Sequence, residues 1–174
     1  LIAKGAHVLN APNNLPYLPF RNQLYTCTEL MDGFSANEDN SSDLKIYEHF
    51  SKYRFNPPMG EALWQRVHDH SIDEALRDLL GFDQDGMTTR KCVGFMGGHS
   101  AKRTDPYYKK MAIAAKLMAE AGYLVVSGGG PGIMEAANLG AYFAGRDMQA
   151  LEAAIRLLCK AAHYTQPQYH ERAM

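Results

Sequence analysis

Between residues 123 and 137 the chain reads Tyr-Leu-Val-Val-Ser, then Gly-Gly-Gly-Pro-Gly, then Ile-Met-Glu-Ala-Ala. An apolar run thus passes through four glycines in five positions into a helical pattern. Glycine permits positive φ and lets backbone N–H groups approach a ligand with no Cβ in the way. Pro131 suits a helix start, where its missing donor would have been unpaired anyway. A buried strand feeding such a loop and then a helix is the βα turn of an open parallel α/β sheet, the place where these folds hold nucleotides and phosphates. A purely structural turn would need only one or two glycines. The loop is not a dinucleotide fingerprint, because Gly128-x-Gly130 leads to Ile133 where a third glycine belongs, and no Gly-Lys pair follows to make a P-loop.

A second stretch repeats the strand-then-glycine pattern. Cys92–Met96 is apolar throughout, as in a strand covered on both faces, and Gly97-Gly98-His99-Ser100 follow. Asp105-Pro106 has the form of an N-cap with proline at the first helical position. The helix beyond it is predicted to bury Tyr107, Met111, Ala114, Ala115, Met118 and Ala121, and to end at Gly122. Strand, helix and strand within about 35 residues is the dimension of a βαβ unit. Both glycine loops then leave the same sheet edge. The candidate phosphate- and nucleotide-binding residues are Gly97, Gly98, His99 and Ser100 from the first loop, and Gly128, Gly129, Gly130, Pro131, Gly132, Ile133 and Met134 from the second. Lys102 and Arg103 could add charge. Tyr107 or Tyr108 could stack on a base, although at least one of them must pack in the core. A last helix, capped by Asp147, presents Leu151, Ala154, Ile155, Leu158 and Ala162.

Residues 1–88 read as a mostly helical accessory region without recognisable chemistry, and 89–174 as the N-terminal half of a Rossmann-like nucleotide-binding domain. In the first part, Ala6–Asn10 is strand-like and Ala36–Asp43 is a polar loop. One helix, starting near Ser41 to Asp43, runs to the stop at Asn56-Pro57-Pro58. A short helix over Glu61–His68 and another opened by the capping box Ser71–Glu74 and closed by Gly81 follow. Trp64 and the methionines at helical spacing read as core. His68-Asp69-His70 reads as a surface pair, since no further ligand gives it zinc spacing; no metal and no cofactor are expected.

The 46% apolar and 21% charged residues are globular composition. A formal charge of −1 gives no reason to expect a nucleic acid polymer or an anionic membrane, so an acidic ligand needs a local pocket. The three cysteines, Cys27, Cys92 and Cys159, are odd in number and far apart, which points to free buried thiols and a reducing cytoplasm. No apolar run reaches the length of about 18 residues that marks a membrane helix.

Val93-Gly94-Phe95-Met96-Gly97-Gly98-His99-Ser100, together with Val125 to Ala137, resembles the Lonely Guy family of Rossmann-like proteins, once mislabelled lysine decarboxylases. The Met134-to-Ala141 form looks more like the bacterial nucleotide 5′-monophosphate nucleosidases than the short plant enzymes. The resemblance spans about residues 92–145. It implies a parallel sheet with flanking helices, homo-oligomers, and hydrolysis of nucleoside 5′-monophosphates to free base and ribose 5-phosphate. The family's catalytic Arg and the Glu of its Pro-Gly-Gly-x-Gly-Thr-x-x-Glu loop have no evident counterpart here. Glu135 reproduces part of that spacing and is the one weak catalytic candidate; Arg172, in the His170–Met174 stretch, echoes another family segment. The expectation is therefore a phosphate-binding portion of a longer enzyme, whose remaining strands lie beyond Met174 or in a partner chain. A non-catalytic nucleotide-sensing module is the alternative.

Overall fold

The computed structural model describes residues 2–5, 11–35, 38–166 and 168–173. The expected strand-like piece at Ala6–Asn10 lies outside the described residues. Two compact units divide the chain, Leu1–Asp85 and Gly86–Met174.

The first unit contains α1 (Cys27–Leu30), α2 (Ser42–Lys52) and α3 (Met59–Leu80). Thr26 caps α1 through a reciprocal capping box with Glu29, and Ser41 caps α2 by accepting from Leu44 N. The two short helices expected between residues 61 and 80 are one continuous helix. Ser71 does not cap; its hydroxyl donates back to Val67 O and to Pro19 O, which lets the helix run through. Gly81 does end it, in the left-handed conformation with φ 64°. Tyr17, Trp64 and His68 are buried.

In the second unit β1 (Cys92–Phe95) lies parallel to β2 (Leu124–Ser127), in register from Cys92 opposite Leu124 to Phe95 opposite Ser127. α4 (Pro106–Glu120) connects them, and α5 (Ile133–Tyr142) and α6 (Met148–Leu158) follow. Asp105 and Asp147 cap α4 and α6 as expected. The core joins Tyr108, Ala112, Ala136, Leu151 and Ile155. Small residues let α4 and α5 meet backbone to backbone: a methyl at Gly140 would lie 1.9 Å from the Ala112 carbonyl oxygen.

That close packing explains several departures. α4 is turned by about one residue from the expected face, so Tyr108, Ala112, Ala115 and Lys116 are buried while Tyr107, Ala114, Met118 and Ala121 are exposed. Lys116 is tolerated inside because its ammonium reaches the Glu120 carboxylate one turn on. The strands are not covered on both faces: helices that pack mainly on one another leave a two-stranded sheet part-open, with Val126 46% exposed. For the same reason Cys92 is exposed; Cys27 is also exposed and Cys159 half-buried, so the expected burial of the thiols does not hold. Of the methionines on helices, Met111 packs against the core and Met134 is half-buried, whereas Met59, Met118 and Met148 are exposed and not core. Among the described residues no helix is long and apolar enough to cross a membrane.

Candidate functional site

The parallel register brings the two glycine loops to the same end of the sheet, and hydrogen bonds clasp them together. Gly98 O accepts from Ile133 N at 3.2 Å and from Ala101 N at 3.1 Å. Two glycines are required by this clasp. At Gly132 (φ 73°) a Cβ would lie 2.3 Å from Gly98 O, and at Gly98 (φ 67°) it would collide with the Ile133 side chain. Gly97 and Gly129 also have positive φ, but open space lies where a Cβ would stand. Gly130 is not in the positive-φ region, and the Met134 methyl folds over it. The loop glycines therefore divide into a closely packed back and an open front.

Gly97, Gly98, His99, Ser100, Gly128 and Gly129 are exposed; Gly130, Pro131, Ile133 and Met134 are half-buried, and Gly132 is buried. Gly132 is the N-cap of α5 and offers no side-chain cap. Among the described residues the N–H groups of Gly130, Met134 and Glu135 have no hydrogen-bond acceptor. Ser127 Oγ accepts from Gly129 N at 3.2 Å and contacts Asn138 Oδ1 at the same distance, pinning the loop to α5. Beside the loop runs an apolar groove of about 510 Å³, lined by Ala101, Tyr107, Met111, Ala114 and Ile133, with Asp105 and Lys110 also on its wall. Tyr107, 68% exposed, lines this groove, whereas Tyr108 is fully buried, and burial and the nearby Glu135 charge hold its hydroxyl above the ordinary tyrosine range.

Arg103 is not a solvent-facing loop charge. Its side chain is fully buried, and the guanidinium grips Glu135 through Nε (3.0 and 3.2 Å to the two oxygens) and Nη2. Nη1 donates to the carbonyls of Ala161 and Tyr169, both at 3.1 Å. The Tyr169 ring lies 3.4 Å from the guanidinium carbon, and its hydroxyl donates to Glu135 Oε2. Burial opposes the Arg103 charge, yet the carboxylate against it holds the guanidinium above its ordinary range. Burial first, and Glu135 second, push the Tyr169 hydroxyl up to about 12. Glu135 is thus engaged by two partners behind the loop. Sequence reasoning missed Tyr169 and Asn138, because neither belongs to a motif and both reach the site only through the fold. Lys102 is exposed in its loop.

The expected surface pair in the first unit is also different. His68 is buried, with Tyr25 OH 2.9 Å from its Nε2 and Asp69 Oδ1 3.4 Å from its Nδ1. Among the described residues no group of three or more His, Cys, Asp or Glu is placed to hold a metal ion.

The model of the SLOG cluster4 family matches residues 90–146, the segment that carries both glycine loops, β1, α4, β2 and α5. This stretch is therefore similar to a Rossmann-like superfamily of nucleotide-related proteins, in keeping with its parallel strands and flanking helices. No curated protein and no solved structure matches the chain.

Proposed function

We propose that the second unit binds a nucleoside 5′-monophosphate, with the phosphate on the N–H groups of the 128–135 segment and the base toward the groove at Tyr107. One observation carries this reading: three backbone donors without acceptors open a helix beside glycines whose front is unobstructed. A helix start of this kind combines orphan N–H groups with the positive end of the helix dipole, which together favour an anion. The groove supplies apolar walls and one exposed aromatic ring, features that suit a flat base.

The reaction we infer is hydrolysis of the N-glycosidic bond, in which phosphate anchoring positions the ribose. A sugar cation needs a carboxylate near the anomeric carbon. Glu135 is poorly suited to that role, since Arg103 and Tyr169 occupy its oxygens. The required carboxylate is then to be sought away from this loop. The same occupancy favours a second reading, that these residues bind or sense a nucleotide without cleaving it.

Calorimetric titration with AMP and with adenosine tests the binding reading. AMP is expected to bind and adenosine to bind at least ~10-fold more weakly, the phosphate contributing over 1 kcal/mol. Gly129→Val, which places a branched side chain at φ 71° in the open front, is expected to remove that preference. Equal affinities for AMP and adenosine in the unaltered protein would defeat the proposal. Release of adenine from AMP by these 174 residues, abolished by Glu135→Gln, would instead make Glu135 catalytic.

A further inference from the structure

We infer that Arg103 and Tyr169 are positioning residues of the phosphate loop, which hold Glu135 neutralised and turned away so that the start of α5 can accept a dianion. The inference rests on the nucleotide reading above. Its starting point is an electrostatic conflict within one helical turn. Glu135 occupies the third position of α5, where a carboxylate complements the helix dipole in the absence of ligand. A phosphate arriving at the same turn would meet that negative charge at close range, and like charges at such distances in a partly buried setting oppose binding by more than thermal energy.

The fold answers the conflict with a buried positive charge. The Arg103 side chain is wholly inaccessible, so it cannot itself touch a ligand. Its Nε and Nη2 face Glu135, and its Nη1 is spent on backbone carbonyls of Ala161 and Tyr169. The Arg103 amide is tied in as well, donating to Ala162 O at 2.9 Å. Tyr169 closes the assembly from the other side, with its ring on the guanidinium and its hydroxyl on Glu135 Oε2. The chain after α6 is thereby fastened to the first turn of α5, so the direction of the Glu135 carboxylate depends on residues far from the loop in sequence.

A purely structural ion pair and a charge-cancelling one predict different affinities. AMP and adenosine titrations would be run on the unaltered chain and on Arg103→Met, Glu135→Gln, the double variant and Tyr169→Phe, with thermal melts of each. Arg103→Met leaves Glu135 uncompensated and is expected to weaken AMP by at least ~10-fold, with adenosine unchanged. Glu135→Gln removes the opposing charge and is expected to tighten AMP, by roughly 3-fold or more, although it lowers stability. The double variant should return to within ~3-fold of the unaltered protein. Tyr169→Phe removes one of the two donors to Glu135 Oε2 and should weaken AMP modestly.

AMP affinities that fall together in Arg103→Met and Glu135→Gln, in proportion to lost stability, would overturn the inference. So would an Arg103→Met variant that folds and binds AMP normally. Should Arg103→Met not fold, Glu135→Gln decides, since only charge cancellation predicts tighter binding at lower stability. An unaltered chain that does not prefer AMP over adenosine defeats the nucleotide reading itself, an outcome visible before any variant is made.

Discussion

Glu61 in the first unit and Glu135 in the second each gather several donors, and they do so by different chemistry. In the first unit Glu61 Oε1 accepts from Tyr17 OH (3.0 Å) and Gln65 Nε2 (3.0 Å), and His49 Nε2 lies 2.7 Å away. These groups belong to an aromatic cluster in which the Tyr17 ring packs edge-on against His49 and His68. In the second unit Glu135 faces a buried guanidinium that cannot give up its proton. Both carboxylates also take a tyrosine hydroxyl, Tyr17 or Tyr169. The difference is one of setting, for Arg21 likewise grips Glu29 in the first unit, but that carboxylate is 40% exposed against 20% for Glu135. Donors that carry no permanent charge suffice to seat Glu61 among its helical and aromatic neighbours. At the start of α5, which we propose receives an anion, a permanent countercharge would keep the acid from competing with that ligand.

The comparison breaks most readily at Arg103. Arg103→Met strands a carboxylate beside a buried site and should destabilise the second unit by about 3–5 kcal/mol, the range for removing one partner of a buried ion pair. Circular dichroism melts would measure this, and a loss below about 1 kcal/mol would mean that the pair is effectively solvated. Next in size is Gly140→Ala. The added methyl has backbone and not a flexible side chain in its way, so α4 and α5 must separate, at a cost of about 1–3 kcal/mol or more. Unchanged stability would show that the helices do not depend on that approach.

Glu61→Gln should cost only about 1 kcal/mol, since an amide oxygen still accepts from the Tyr17 hydroxyl and the Gln65 amide. Fluorescence of Trp64, the single tryptophan and buried in α3, reports this transition. A loss as large as that of Arg103→Met would erase the distinction between the two carboxylates. The smallest effect concerns alkaline pH. The folded Tyr169 hydroxyl is held at about 12 by burial and by Glu135, above the ordinary tyrosine value of about 10. A group whose folded pKa is raised contributes fully below its unfolded value and loses that contribution as pH rises through the folded one. Tyr169 therefore withdraws its contribution between about pH 10 and about 12; Tyr108, raised further by burial, adds to the decline of the second unit, and Tyr169→Phe should make the decline shallower without removing it.

Local chemistry in the sequence determined much of the second unit. Aspartates before Pro106 and Met148 cap the helices they precede, because a cap needs only its own first turn. The apolar runs at 92–96 and 124–127 pair as parallel strands and set both glycine loops at one edge, because strand length and the connecting helix leave few alternatives. The glycine-rich turn is likewise a property of its own residues. In the first unit local signals misled: Ser71 had the spacing of a cap, yet Val67 O and Pro19 O took its hydroxyl and the helix continued.

Tertiary structure alone decided what each loop residue does. Gly98 and Gly132 look no different in sequence from Gly97 and Gly129, but only the clasp between the loops places a carbonyl or side chain against the first two. Tyr107 and Tyr108 are adjacent and alike, and the approach of α5 to α4 leaves one exposed and buries the other. Arg103 reads as a solvated loop cation until the chain returns at residues 158–169 to enclose it. The physical reason is shared: caps, turns and strand propensity are settled within a few residues, whereas burial and charge compensation depend on which distant surfaces meet.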